Sequence, residues 1–171
     1  MSPTKRYIIF FLFLFLITGL SFQRAAAQAD TAIFKRTPLV KLVSRREGLA
    51  DQTAELLMQV LKIHDSRKIT LVVQSGQGSS FLVDSTHVTA ISFADSNRVE
   101  LKTTFTVRSS FGGMGFGCFV SLDFDLTDEQ YQILKEGEVT KIDVAYSEGV
   151  FSFDLNEPAA ALFKETAAQI N

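Results

Sequence analysis

The hydrophobic positions fall into two periods. After an unbroken apolar run near the amino terminus, Leu49, Leu56, Leu57, Val60 and Leu61 recur at three- and four-residue steps, with Asp51, Gln52, Glu55, Gln59 and Lys62 between them. That spacing predicts an amphipathic helix over about 49–62, ended by His64-Asp65-Ser66. From Lys68 the period shortens to two. Ile69, Leu71 and Val73 alternate in KITLVVQ, and FLVDSTHVTAISF (81–93) is rich in β-branched residues. In RVELKTTFTV (98–107), Val99, Leu101, Thr103, Phe105 and Val107 share one face. In FGCFVSLDF (116–124), Phe116, Cys118, Val120, Leu122 and Phe124 do the same. One apolar and one polar face is the mark of an antiparallel sheet with a solvated side.

The carboxy-terminal third has the clearest local signals. Thr127-Asp128-Glu129-Gln130 reads as a capping box, in which the Thr127 hydroxyl takes the Gln130 amide and the Gln130 side chain reaches back. Gly137 is placed to end that short helix. Strands follow over 139–147 and 150–155, turned at Glu148-Gly149, and Asn156 with Pro158 opens a last helix striped by Ala159, Leu162, Phe163, Ala167 and Ile170. The predicted fold is α+β: a single domain over 48–171 built mainly on an antiparallel sheet of about five to six strands, with a short capped helix and a C-terminal helix. The block from LTDEQYQILKEGEVTKIDVAY to the closing helix, and more loosely ISFADSNRVEL, resembles the tail of small exported proteins of Gram-negative bacteria with no assigned activity. The resemblance covers about the last third of the chain, implies a fold type and contributes no catalytic residue.

The first thirty residues predict where the protein goes. Lys5 and Arg6 precede an Ile/Phe/Leu run from Ile8 to Ile17, and Ala25, Ala27 and Ala29 satisfy the small-residue rule for cleavage before Gln28 or Asp30. Residues 1–29 therefore read as a signal peptide and the protein as exported, periplasmic or secreted. The alternative is a retained anchor, which would make the protein a membrane-attached accessory subunit. The run from Tyr7 to Phe22 falls short of the ~20 residues that span a hydrocarbon core. Contact with a membrane is expected only through an uncleaved signal segment.

Charge narrows the partners. Loss of Lys5, Arg6 and Arg24 leaves 14 of the 17 Lys/Arg against 19 Asp/Glu, a net −5. Residues 30–110 carry eleven basic and eight acidic residues, whereas 111–171 carry three and eleven. Such a balance argues against nucleic acid as a partner. Residues 30–47 form a basic N-terminal arm holding Lys35, Arg36, Lys41, Arg45 and Arg46, expected to face solvent.

Candidate chemistry is sparse. Cys118, the only cysteine, lies on the apolar face of its strand and reads as a small buried hydrophobe. His64 and His87, the only histidines, match no compact zinc spacing with Cys118. Asp123 and Asp125 share a strand face about 7 Å apart, but the calcium-loop pattern around them is absent. No metal, cofactor or catalytic residue is implied. The one localised site is FGGMGFG (111–117), where Phe111, Met114 and Phe116 on a glycine frame suit a protein partner or a small apolar ligand. The same stretch also reads as a plain hairpin tip whose aromatics fold back onto the sheet. The function expected from the sequence is thus an exported, non-catalytic binding domain of the cell envelope. A hydrolase or metal-dependent enzyme assembled from distant residues is the competing reading.

Overall fold

The computed structural model describes residues 34–47, 52–76, 80–112 and 117–170. The predicted signal peptide, the first residues of the basic arm, and Met114 and Phe116 lie outside the described residues. The chain divides into two units, residues 1–35 and 36–171. β1 (Phe34–Arg36) spans the boundary, and the remaining described elements belong to unit 36–171.

The segment predicted as a helix over 49–62 is instead a strand, β3 (Gln52–Ile63). Ala54, Leu56, Met58 and Val60 are fully or almost fully buried, which is a period of two. Leu57 and Leu61, which completed the helical spacing, lie half-buried on the opposite face. Pairing decides the matter. β3 lies between β2 (Val40–Glu47) and β4 (Ser66–Ser75), antiparallel to both. Two ladders of backbone hydrogen bonds and a buried face outweigh the helix propensity of Ala, Glu, Leu, Met and Lys, which is a few tenths of a kcal/mol per residue. His64 and Asp65 become a two-residue hairpin turn joining Ile63 to Ser66, with His64 at a positive φ of 54° as such tight turns require.

β4 pairs along its other side with β10 (Cys118–Leu126), and β10 pairs at its start with β9 (Ser110–Phe111). Within residues 36–171 the larger sheet runs β2-β3-β4-β10-β9. A second sheet runs β12-β11-β6-β7, from β6 (Val88–Phe93), β7 (Arg98–Lys102), β11 (Val139–Tyr146) and β12 (Gly149–Asp154). β5 (Leu82–Val83) and β8 (Val107–Arg108) make a two-stranded ribbon. The β-branched stretch 81–93 is broken at Asp84–His87 by a turn in which His87 N–H donates to the Asp84 carbonyl at 3.0 Å.

The core joins the two sheets. Leu56, Met58, Leu71, Leu122 and Phe124 from the larger one belong to a single apolar cluster with Ile91, Val99, Ile142, Val144 and Phe153 from the smaller. Each fully buried side chain of this size contributes about 1.5–3 kcal/mol of transfer free energy. The architecture is the expected α+β type, mainly antiparallel with two helices. α1 (Asp128–Glu136) carries both halves of the capping box: the Gln130 amide donates to Thr127 Oγ1 at 3.1 Å, and the Thr127 amide to Gln130 Oε1 at 2.9 Å. α2 (Glu157–Ala168) starts at Asn156, whose side chain accepts from the Ala159 amide, and buries Ala159, Phe163 and Ala167.

Gly137 ends α1, but not through a left-handed turn. Its φ is −71°, open to any residue, and space is the constraint: a Cβ would lie 2.4 Å from Phe93 Cδ1. The basic arm is less detached than its charge suggests, since residues 40–47 run as β2, with Lys41 paired to Glu55 at 2.7 Å.

Candidate functional site

Phe111 lies in β9 directly across from Cys118. Opposed residues of an antiparallel pair point to the same face, and Cys118 is fully buried. Phe111 is nevertheless 68% exposed. β9 is only two residues long and ends the sheet, so the ring extends past the limit of the core cover.

The base of the hairpin tip is fixed. The Gly112 amide donates to the Gly117 carbonyl at 2.9 Å, continuing the β9–β10 pairing. Gly117 has φ +61°, and a Cβ there would lie 2.0 Å from the Ser75 carbonyl oxygen of β4. Only glycine fits. Phe111 is therefore the one residue of the predicted trio that the structure places, since Met114 and Phe116 lie outside the described residues.

Two further aromatics are exposed along this part of the chain. Phe119 is 39% exposed and falls on the outer face of β10, in phase with Ser121 and Asp123 rather than with Cys118 and Val120. The alternation in the sequence already contained this signal, an aromatic on the polar side of a strand. Phe105, read as core-facing, is 77% exposed. β7 ends at Lys102 and the buried alternation stops at Thr103, so the chain has left the sheet before Phe105 is reached.

The other candidates are engaged structurally. Asp123 accepts the Thr70 hydroxyl at 2.6 Å and Asp125 pairs with Lys68 at 2.7 Å, both across the β4–β10 ladder. His87 lies in the turn before β6, with Nδ1 2.9 Å from Asp84 Oδ1, while His64 is exposed in the β3–β4 turn. The Thr86 hydroxyl and then the Thr86 amide, both donating to Asp84, hold that carboxyl below the usual carboxylate range, with His87 adding to the effect and burial opposing it. Cys118 is a free, buried thiol. Among the described residues, no three His, Cys, Asp or Glu side chains gather as a metal ion would require. No helix among them is long and apolar enough to cross a membrane.

Two open depressions flank the end of α1. One, of about 230 Å³, is lined by Phe93, Asp95, Asn97, Ile133, Glu136 and Gly137. The other, of about 280 Å³, is lined by Glu138, Glu157, Ala160, Ala161 and Lys164. Both linings carry acids, and the second also holds Lys164. Comparison of the chain with protein-family models, with curated proteins and with solved structures finds no match.

Proposed function

We propose that the chain is an exported, non-catalytic domain that binds a protein partner through the β9 end of its larger sheet, with Phe111 as the anchor. The observation that carries this reading is the exposure of Phe111 beside a base where Gly117 packs against the Ser75 carbonyl of β4. A large aromatic on a fixed edge loses little conformational freedom on binding and supplies much contact area, which is why aromatics dominate the energetics of interfaces. A protein partner is favoured over a small apolar ligand because the depressions described are open and carry charged residues in their linings, while Phe111 and Phe119 are exposed at the β9–β10 end of the larger sheet. The reading is non-catalytic because Asp84, Asp123 and Asp125, the acids nearest to any candidate chemistry, are occupied by hydroxyl, amide and ammonium donors of the fold itself. Export rests on the sequence of residues 1–29.

Replacing Phe111 by Ser tests the site. An exposed side chain away from the core changes stability by no more than about 0.5 kcal/mol, so the unfolding midpoint stays in place while crosslinking to envelope proteins, present in the wild type, disappears. A loss of several kcal/mol would show that Phe111 is core; unchanged crosslinking would remove it as the anchor. Mass spectrometry of the cell fractions tests export, with a mature terminus at Gln28 or Asp30 expected. An intact Met1–Phe22 segment in the membrane fraction would sink the soluble form of the reading.

A further inference from the structure

From Leu101 to Leu122 the chain contains no Asp or Glu, whereas all eleven acids of residues 111–171 come after it, from Asp123 on. That acid-free stretch carries the exposed aromatics Phe105, Phe111 and Phe119 and the cations Lys102 and Arg108. Both cations are exposed, and neither side chain makes an ion pair or a hydrogen bond. Lys41, Lys68 and Lys141, by contrast, pair with acids of the fold. Two acids border the stretch on neighbouring segments, and both are engaged. Asp84, just beyond β5, is held by the Thr86 hydroxyl and amide, and Asp123 of β10 accepts the Thr70 hydroxyl.

The backbone holds the stretch in place. Val107 and Arg108 form β8 against Val83 and Leu82, the Ser109 amide donates to the Phe81 carbonyl at 2.9 Å, and Ser110 and Phe111 form β9 against β10. Ser110 is opposed to Phe119 and shares its face. Arg108 and Ser110 are exposed on either side of buried Ser109, so the alternation of an extended chain sets Arg108 on the side of Ser110 and Phe119. Phe105 and Phe111 lie on either side of Arg108 in the sequence, and the chain between them spans at most about 20 Å. One partner burying an ordinary interface of about 800 Å² on each side covers that length.

We propose that the protein bound at Phe111 presents carboxylates beside an apolar surface, and that Phe105, Lys102 and Arg108 complete the contact. The inference rests on the Phe111 reading and adds the chemistry of the partner. Apolar side chains meet Phe105 and Phe111, and acids meet the two open cations, because the potentials of the two sides of an interface are complementary. An anionic membrane is the other surface with apolar and negative groups side by side. Recognition of anionic lipid takes clusters of about four to eight Lys or Arg, and two are present here. The eleven acids from Asp123 on also oppose approach to a negatively charged bilayer. A protein partner places its acids only where the cations are.

Photo-crosslinking tests it. The full chain is expressed with p-benzoylphenylalanine in place of Phe105 and irradiated in isolated envelopes, and the attached peptide is sequenced by mass spectrometry. That peptide is expected to come from another protein and to be rich in Asp and Glu. Lys102→Glu with Arg108→Glu lowers the crosslink yield at least about tenfold, since like charges then face each other, while Lys102→Arg with Arg108→Lys keeps it. Salt of about 1 M, where the Debye length is about 3 Å, lowers the unreversed yield as well. Each variant is first checked to hold the wild-type unfolding midpoint within a few degrees. An attached peptide poor in acids, or one from a second copy of this chain, overturns the proposal. So does a yield that withstands the charge reversal, or binding of the purified protein to phosphatidylglycerol vesicles that the reversal removes. Phe111→Ser separates the two readings. If it removes the crosslink while the charge reversal leaves it, Phe111 stands as the anchor and the acidic partner falls. If it leaves the crosslink in place, the Phe111 reading falls and this inference with it.

Discussion

Gly117 and Gly137 are both required, for different physical reasons. Gly137 has an ordinary φ of −71° and is needed because a Cβ would lie 2.4 Å from the buried Phe93 ring and 2.8 Å from the Ile133 carbonyl oxygen. Gly117 combines a left-handed φ of +61° with a Cβ position 2.0 Å from the Ser75 carbonyl oxygen, so conformation and space both demand glycine. Gly117→Ala is expected to cost more than about 2 kcal/mol, since the left-handed conformation alone costs roughly 1–2 kcal/mol for a residue with a Cβ. Urea denaturation measures this. A loss below about 0.5 kcal/mol, the range of an ordinary surface change, would mean that the base of the hairpin tip is not pinned against β4. The glycines at 112, 113, 115 and 117 made a bend legible in the sequence. Which of them is indispensable was not, because Ser75 lies far away along the chain and meets Gly117 only through the β4–β10 pairing. Phe111 stood out in the sequence as an aromatic among glycines, with exposure and folding back onto the sheet both open, whereas the exposure of Phe105 depended on where β7 ends.

Elements were legible where their signals are local. The capping box of α1 needs only Thr127 and Gln130, and the Asn156 cap of α2 only the next three residues. β3 was not, because apolar residues at 54, 56, 57, 58, 60 and 61 satisfy both the helical and the strand period, and the partners that choose between them lie elsewhere in the sequence. Two side chains tie the helices: Lys164 of α2 donates to the Glu136 carbonyl of α1 at 2.8 Å, and Tyr131 makes the buried link. Tyr131 of α1 donates its phenol proton to the carbonyls of Ala167, at 2.9 Å, and Ile170 at the end of α2, beneath the Arg67 guanidinium, whose carbon is 4.5 Å from the ring centroid. Burial raises the Tyr131 phenol above its ordinary 10.0, with Arg67 opposing. The fold therefore favours the protonated phenol. Below pH 10 both folded and unfolded chains hold the proton, and the stabilisation is fully present. As pH rises beyond that, the unfolded chain ionises first, and the stabilisation is lost as pH passes through the folded pKa. The wild type is thus expected to lose stability above about pH 10 more steeply than Tyr131→Phe, which at neutral pH is weaker by about 1 kcal/mol for the lost hydrogen bond. Equal alkaline slopes in denaturation titrations of the two proteins would show that the phenol stays accessible to ionisation in the fold.

At the scale of the whole molecule, the predominance of antiparallel strands and the closing helix followed from periodicity, but the order of the strands did not. β11 pairs with β6 and β10 with β4 across long separations, and no residue in either pair signals its partner locally. That order places the dry faces of the two sheets in one apolar cluster instead of two. A shared core makes a shared transition. Leu71 of the larger sheet and Ile142 of the smaller are both fully buried, and truncation of either to Ala is expected to cost about 2–5 kcal/mol. If the core is continuous in energy as well as in space, each variant weakens both sheets equally. The slowest-exchanging amides of β10 and of β11 would then lose protection by the same free energy in Leu71→Ala as in Ile142→Ala, because these amides exchange only when the whole unit opens. Should Ile142→Ala speed exchange in β11 while leaving β10 at its wild-type rate, the sheets unfold separately, and residues 36–171 are two cooperative units rather than one.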